Sequence, residues 1–273
     1  MSKKKVLYLI YKRLRPGLGL TFGFILMYAI LANGITVPLF LTAVGFLLLA
    51  LYGDLYNDYW DYDEDVRNKR KDKFIIAGLI TRNQSKYISF LFAAGGLLLV
   101  WFVNIFIFIL ALYSFILHTS YSHPRIRLKG SIKGYVAFTS IFLFLPFGLL
   151  FITAASSLLF TALFGLFYFF QGNYILCQKD STDTKDTTNL FLKHGWEKST
   201  RITAVFGILS SLSLLLLSFV NIYFILVWVL NVFAKIFNIN KIRIKTITKV
   251  TRYRLILIEF LTPYLYLGVG LLV

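Results

Sequence analysis

Cysteine and charged residues are both scarce in this sequence. Its one cysteine, Cys177, excludes a disulfide within the chain and any zinc site built from several cysteines. Charged residues make up 15% of the 273 residues, whereas an average soluble domain has about 25%. Hydrophobic residues make up 58%, and the mean hydropathy is +0.73. This composition excludes a disordered chain and is atypical of a soluble globular domain.

Long stretches of the sequence contain no lysine or arginine. The 29 basic residues all lie in five segments: 1–16, 54–86, 119–133, 177–201 and 235–254. Between them lie four stretches of 32 to 43 residues, and a fifth, 255–273, ends the chain. One membrane-spanning helix needs about 20 apolar residues, so each of the four accommodates two helices and the last accommodates one. Asn104 is a candidate for the turn between the two helices of the second stretch, 87–118. The sequence therefore predicts an all-α bundle of nine transmembrane helices, forming one domain over residues 1–273.

The distribution of positive charge predicts how the chain is oriented. A net charge of +17 on a soluble protein would point to nucleic acid. Here the basic residues only flank apolar stretches, which predicts a lipid bilayer as partner and no nucleic acid. If each long stretch is a helical hairpin, every basic segment emerges on one face, and the positive-inside rule makes that face cytoplasmic. We expect a multi-pass protein of the cell membrane with a cytoplasmic N-terminus and an outside C-terminus.

An acidic cluster follows the second predicted span. Asn57, Asp58, Asp61 and Asp65 have the spacing N-D-x-x-D-x-x-x-D, and on a continuing helix the first, third and fourth share one face. Carboxylates this close repel each other unless a cation compensates them. Oxygen ligands suit Mg²⁺, which also binds substrate phosphate, and the absence of neighbouring His or Cys disfavours zinc. The alternative is a solvated acidic turn that only ends a helix.

A second acidic cluster follows the sixth predicted span. Asp180, Asp183 and Asp186 are three residues apart, so that neighbours in the series lie close together on a helix. The predicted topology delivers them to the same membrane face as the first cluster. Metal ions held by the two clusters could then bind one diphosphate. The alternative is a polar cytoplasmic loop.

Three basic side chains are candidates for binding that diphosphate. Lys73 follows the first acidic cluster, and Arg127 and Lys129 follow the fourth predicted span. Lysine and arginine both bind phosphate oxygens through charge-assisted hydrogen bonds. The alternative is topogenic charge that contacts anionic lipid headgroups.

These segments together resemble the UbiA superfamily of membrane prenyltransferases. The family signature N-D-x-x-D-x-x-x-D is matched in full by the first acidic cluster. The family segment Tyr-Ser-x-Pro-x-x-Arg-Leu-Lys is matched by Tyr121, Ser122, Pro124, Arg127, Leu128 and Lys129. The second motif departs from the usual D-x-x-x-D, because its acids are three residues apart and not four. The resemblance spans nearly the whole chain.

The resemblance implies a helical bundle with two Asp-rich cytoplasmic loops and a Mg²⁺-dependent reaction. A prenyl diphosphate would ionise to an allylic cation that alkylates a small, often aromatic, acceptor. The implied metal ligands are Asn57, Asp58, Asp61, Asp65, Asp180, Asp183 and Asp186, of which Asp61, Asp65, Asp180 and Asp183 are the catalytic acids. The implied diphosphate ligands are Lys73, Tyr121, Arg127 and Lys129.

Two other functions remain open from the sequence. Some relatives of this family fold the allylic cation onto itself, so an intramembrane terpene cyclase is the main alternative. A transporter or membrane scaffold is a third possibility. A transporter needs polar groups near the middle of the membrane. We expect no ionisable side chain inside the predicted spans other than tyrosine and Glu259.

Overall fold

A computed structural model describes residues 36–70, 73–153, 158–182, 189–220, 222 and 224–248. This part of the chain is built from helices and turns and contains no strand. The helices are α1 Val37–Trp60, α2 Tyr62–Arg67, α3 Arg82–Trp101, α4 Ile105–Ser122, α5 Ile132–Thr139, α6 Ile141–Thr153, α7 Leu158–Thr182, α8 Leu190–His194, α9 Trp196–Leu217 and α10 Phe224–Arg243.

Six helical stretches among the described residues are long and apolar enough to cross a membrane. They are α1, α4, Ile132–Leu149 (which joins α5 to α6), α7, α9 and α10. The predicted third span, α3, is less apolar, since its first turns carry Arg82 and Lys86. The described residues thus form an all-helical fold, and six of its helical stretches have the length and composition of membrane spans. The predicted first and ninth spans lie outside the described residues, so the count of nine and the positions of both termini stay predictions.

The chain divides into two compact units, Met1–Leu128 and Lys129–Val273. In the first unit, α1 packs against both α3 and α4. Glycine permits the closest approach: a Cβ atom added to Gly96 would lie 2.7 Å from the backbone oxygen of Gly45. Small residues at such contacts let membrane helices pack closely. The α3–α4 hairpin has the predicted turn residue, Asn104, whose side chain caps α4 by accepting from the Phe106 backbone N–H at 2.7 Å.

In the second unit, α7 packs against α6 and α9, and α9 packs against α10. The helix α10 begins within the predicted eighth span but does not end with it. It runs on past the last uncharged residue, at 234, to Arg243, and Lys235 is buried within it. The helix therefore extends beyond the stretch 202–234 in which the eighth span was predicted. The reason is local: a lysine can lie inside a membrane helix when hydrogen-bond acceptors surround its ammonium group.

Candidate active site

The first acidic cluster lies on helical turns at the end of α1 and in α2. The backbone N–H of Asp61 donates to the Asn57 oxygen at 2.9 Å, and that of Asp65 donates to the Asp61 oxygen at 2.8 Å. The helical hydrogen-bond ladder therefore continues through the cluster and places these three residues on one face. The spacing predicts a continuing helix here, and the resemblance implies an Asp-rich loop; the structure has helix on both sides of Asp61.

A tight turn after α2 brings Lys73 back onto the acids. Lys69 adopts a φ of 51°, and the next N–H, of Arg70, donates to the Asp65 oxygen at 3.0 Å, which is a Schellman helix end. Lys73 is buried, and its Nζ lies 2.5 Å from Asp58 Oδ1 and 3.7 Å from Asp65 Oδ2. One ammonium group therefore bridges two predicted metal ligands.

Arg127 makes the corresponding bridge from the end of α4. Its Nη2 lies 3.2 Å from Glu64 Oε2 and 3.6 Å from Asp61 Oδ1. Its backbone has a φ of 33°, a left-handed conformation that costs energy in a residue other than glycine. Ser122 Oγ, on the last turn of α4, donates to Asn57 Oδ1 at 3.2 Å. The end of α4 is thereby hydrogen-bonded to the acidic cluster at two points.

Asp65 has the most perturbed environment in the cluster. Burial raises the pKa of its carboxyl group above the ordinary value, and the nearby Lys73 ammonium opposes that shift. Its Oδ2 is buried and accepts no hydrogen bond. A buried carboxylate oxygen without a donor is costly, and a bound cation would remove that cost.

The donor set fits Mg²⁺ in particular. Every candidate ligand in the first cluster is a carboxylate or amide oxygen, which hard divalent cations prefer. Among the described residues, no three His, Cys, Asp or Glu side chains are grouped as ligands of one ion. Mg²⁺ does not need such a group, because it usually binds one or two carboxylates and completes its shell with water and substrate phosphate. These residues therefore suit an ion that arrives with a phosphorylated substrate.

The second cluster is described only at Asp180, on the last turn of α7. Its Oδ2 accepts a hydrogen bond from the hydroxyl of buried Tyr135 and another from the Leu190 backbone N–H at 2.8 Å. Asn189 Nδ2 donates to the Asp180 backbone oxygen at 2.5 Å. The carboxylate of Asp180 is therefore held in place by α5 and by the start of α8. Asp183 and Asp186 lie outside the described residues.

Comparisons with known proteins identify the family. The sequence matches the UbiA prenyltransferase family over residues 19–260. The chain belongs to the UbiA family. No match is found among curated proteins.

Solved structures of UbiA homologues have the same fold. An apo UbiA homologue from Aeropyrum pernix K1 is 13% identical, with a TM-score of 0.71 over 95% of this chain and 98% of that one. A UbiA homologue from Archaeoglobus fulgidus bound to GPP and Mg²⁺ is 16% identical, with a TM-score of 0.67 over 97% and 100%. A digeranylgeranylglyceryl phosphate synthase is 21% identical, with a TM-score of 0.65 over 97% of both chains.

Most UbiA motif residues of the first unit form one cluster. Asn57, Asp58, Asp61 and Asp65 form one cluster with Lys73 and Arg127. Tyr121 is half-buried on the last turn of α4. Lys129 is half-buried in the turn where the second unit begins. The predicted roles of all these residues stay predictions.

Sequence reasoning missed three side chains that contact predicted UbiA site residues within their own unit. Glu64 shares Arg127 with Asp61, and Ser122 holds Asn57. Tyr135 donates to Asp180 from 45 residues away. For Ser122 a signal existed, since it belongs to the Tyr-Ser-x-Pro segment. For Tyr135 none existed, because the sequence around it does not show which side chain faces α7.

Proposed function

We propose that this protein is a Mg²⁺-dependent prenyltransferase. It transfers the prenyl group of a polyprenyl diphosphate to a small, aromatic acceptor at the membrane. One observation carries the proposal: the acids predicted to bind Mg²⁺ are in contact with the bases predicted to bind diphosphate. Lys73 bridges Asp58 and Asp65, and Arg127 contacts Asp61.

A magnesium diphosphate offers a partner of opposite charge to both members of these ion pairs: the metal ion to the acids, and the phosphate oxygens to the bases. Without substrate, each base partly neutralises the two acids beside it. With substrate, Asn57, Asp61 and Asp65 would turn to the metal ion, and Lys73 and Arg127 would turn to phosphate oxygens. Mg²⁺, when bound, neutralises the charge that develops on the leaving diphosphate. In this exchange each charged group of the buried cluster would keep a partner of opposite charge, and an unpaired charge there would be costly.

The second cluster provides the remaining predicted ligands. We assign a second Mg²⁺ to Asp180 together with Asp183 and Asp186. The hydrogen bond from Tyr135 would orient the Asp180 carboxylate, as partners of metal-ligating carboxylates commonly do. Structures of an Archaeoglobus fulgidus homologue bound to Mg²⁺ with DMAPP or GPP support the use of this metal and substrate class.

The reaction needs only heterolysis and alkylation. The bond between the allylic carbon and the diphosphate oxygen breaks, and diphosphate leaves with the electron pair. The allylic carbon then bonds to a ring carbon of the acceptor, which loses its proton to solvent. The residues of this chain bind and orient the diphosphate.

The test is diphosphate release by purified protein in detergent with Mg²⁺. Geranyl, farnesyl and geranylgeranyl diphosphates are offered alone and then with phenolic acids and naphthoates, and products are analysed by mass spectrometry. We expect release that requires an acceptor and yields a prenylated ring. Release without acceptor, with a cyclic hydrocarbon as product, would instead identify a terpene cyclase. Absence of Mg²⁺-dependent binding of every diphosphate would refute both functions.

A further inference from the structure

Asn173 places a carboxamide group inside α7, a helix of the second unit that is long and apolar enough to cross a membrane. It lies nine residues before the end of α7 at Thr182, about 13 Å along the axis at 1.5 Å per residue. Its exposed fraction is 0%. A polar group at this depth is costly unless hydrogen bonds satisfy it, so each atom of the amide needs a partner.

The orientation of the Asn173 amide is fixed by its contacts. Its Nδ2 donates to the Phe169 backbone oxygen at 2.9 Å and to Thr139 Oγ1 at 2.6 Å. A carbonyl oxygen only accepts, so the amide nitrogen and not the amide oxygen faces Phe169. Within the part of the chain that the structure describes, the remaining atom, Oδ1, is buried and accepts no hydrogen bond. Buried amide groups almost always have partners, so a donor is missing at this oxygen.

The helix that Asn173 contacts is interrupted at the point of contact. The apolar stretch Ile132–Leu149 is long enough for one span, but α5 ends within it at Thr139 and α6 begins at Ile141. Between them the Ser140 N–H donates to the Ala137 oxygen at 3.3 Å, a bond over three residues. Non-helical backbone at membrane depth is tolerated where it is buried in protein or lines a cavity, and broken helices contribute binding sites in transporters. The break is a second observation that points to a ligand here.

Asn173 also shares a face of α7 with Asp180. The two residues are seven positions apart, which is about two helical turns and 10 Å along the axis. Helix α5 contacts both, because the Tyr135 hydroxyl donates to Asp180 and Thr139 accepts from Asn173. A group bound at Asn173 would therefore lie deeper in the membrane than Asp180, on the same side of α7.

The chemistry of the proposed reaction selects among the donors that could satisfy Oδ1. An ammonium group on a ligand would repel the allylic cation, and a bound water molecule would offer the cation a competing nucleophile. A ring hydroxyl has neither drawback. Its oxygen gives electron density to the ring, and a hydrogen bond from its proton to a neutral amide oxygen increases that density at the ring carbon that is alkylated.

We propose that Asn173 Oδ1 accepts a hydrogen bond from a ring hydroxyl group of the acceptor substrate. No proton is transferred in this contact, which holds the ring on the α5 side of α7, deeper than Asp180. The substrate class is therefore a hydroxylated aromatic compound. This inference rests on the proposed transferase function, because a cyclase has no second substrate.

The proposal is tested by calorimetric binding to the full chain, with Mg²⁺, in a detergent that carries no hydroxyl group. The probes are 4-hydroxybenzoate and 1-naphthol, each compared with its methyl ether and with the parent compound that lacks the oxygen. We expect the wild type to prefer a hydroxyl probe at least tenfold over both analogues. Wild-type protein that binds no hydroxyl probe, or binds it no better than its analogues, overturns the proposal.

Two leucine variants assign the preference to Asn173. Asn173→Leu removes Oδ1 and should abolish the preference for the hydroxyl. Asn240→Leu is the matched control, the same change at an exposed position of α10 in the same unit, and should retain it. A folded Asn173→Leu protein with an unchanged preference overturns the proposal. The wild-type comparison needs no variant, so it decides the matter even if Asn173→Leu does not fold.

Thr139→Val separates binding from helix packing. It removes the hydroxyl to which Asn173 Nδ2 donates, while the bond to the Phe169 oxygen still orients the amide. We therefore expect Thr139→Val to retain the preference. Its loss in a folded Thr139→Val protein, as complete as in Asn173→Leu, would assign the effect to the contact between α5 and α7 and overturn the proposal.

Native mass spectrometry distinguishes a lipid hydroxyl from that of an acceptor. Phosphatidylglycerol carries hydroxyl groups on its glycerol headgroup. If the wild type and Asn240→Leu retain this lipid and Asn173→Leu loses it, the hydroxyl belongs to a lipid and the acceptor role is overturned.

Binding of geranyl diphosphate in the same preparations separates this inference from the proposed function. Mg²⁺-dependent diphosphate binding without any hydroxyl preference means that the inference alone fails. A hydroxyl preference that depends on Asn173, in a protein that binds no geranyl diphosphate, means that the transferase function fails. The hydroxyl site would then stand without its acceptor role.

Discussion

At the residue scale, Asp65 combines a cost in stability with a predicted function. Its raised pKa means that the folded protein binds the carboxyl proton more tightly than the unfolded chain does. The resulting stabilisation is complete below the ordinary pKa of the carboxyl group and is lost as the pH rises through the raised value. At neutral pH the ionised Asp65 carboxylate therefore destabilises the folded protein, and Lys73 offsets only part of that destabilisation. A bound cation would relieve it further.

Asp65→Asn should separate stability from metal binding. In the presence of a chelator, we expect its thermal midpoint to equal or exceed that of the wild type, because the buried charge is gone. Added Mg²⁺ with geranyl diphosphate should stabilise the wild type but not the variant. Asp63→Asn is the matched control, since the Asp63 side chain is 71% exposed. A strongly destabilised Asp65→Asn protein that still gains stability from the ligands would contradict this account.

Arg127→Gln tests the second base of the cluster. A hydrogen bond to a charged group contributes about 1.5–3 kcal/mol, so we expect the Kd for geranyl diphosphate to rise about tenfold or more. The exposed Arg125, two residues earlier, offers the same substitution as a control that should leave the Kd within about twofold. Equal Kd values for both variants would show that Arg127 serves only to hold Glu64 and Asp61.

The sequence predicted the shared face of Asn57, Asp61 and Asp65 because helical spacing alone decides it. It did not predict which base meets which acid. Lys73 reaches Asp58 because the chain makes a left-handed turn at Lys69. Glycine usually marks such a turn in a sequence, and here the residue is a lysine. Long-range partners of this sort depend on backbone geometry that spacing does not reveal.

At the element scale, the contact between α1 and α3 depends on two glycines. A methyl group on Gly96 would lie 2.7 Å from the Gly45 backbone oxygen, which cannot move without shifting α1. Overpacking of this kind costs about 1–3 kcal/mol. We expect Gly96→Ala to lower the thermal midpoint in detergent measurably. Gly95→Ala should not, because its added methyl group meets only Leu48 Cδ1, at 3.6 Å. The same midpoint for both variants would refute the close packing.

The stretches without lysine or arginine predicted well where the helices lie along the chain. They did not predict the residues at which the helices end. The turn at Asn104 was predicted, since a side chain that caps a helix stands out in an apolar run. The end of α10 was not, because the sequence does not show that Asn231 and Ser210 provide acceptors for Lys235. The polar spacing of Asn231, Lys235 and Asn238, at four and three residues, was the available signal.

At the scale of the whole molecule, composition and charge distribution were enough to predict a helical membrane protein. Motif spacing was enough to indicate the UbiA family, whose match covers residues 19–260. The acceptor was beyond prediction, because no motif in the sequence marks the residues that would bind it. Buried polar atoms without partners, such as Asn231 Nδ2, become visible only in three dimensions.

The most direct test of the central claim is calorimetric titration of the purified protein with geranyl diphosphate, with Mg²⁺ and with a chelator. The account predicts binding only with Mg²⁺. It predicts that Asp61→Ala abolishes this binding and that Asp63→Ala, at an exposed position of the same segment, retains it. Binding that is unaffected by the chelator, or that survives in Asp61→Ala, would contradict the assignment of this cluster to magnesium diphosphate.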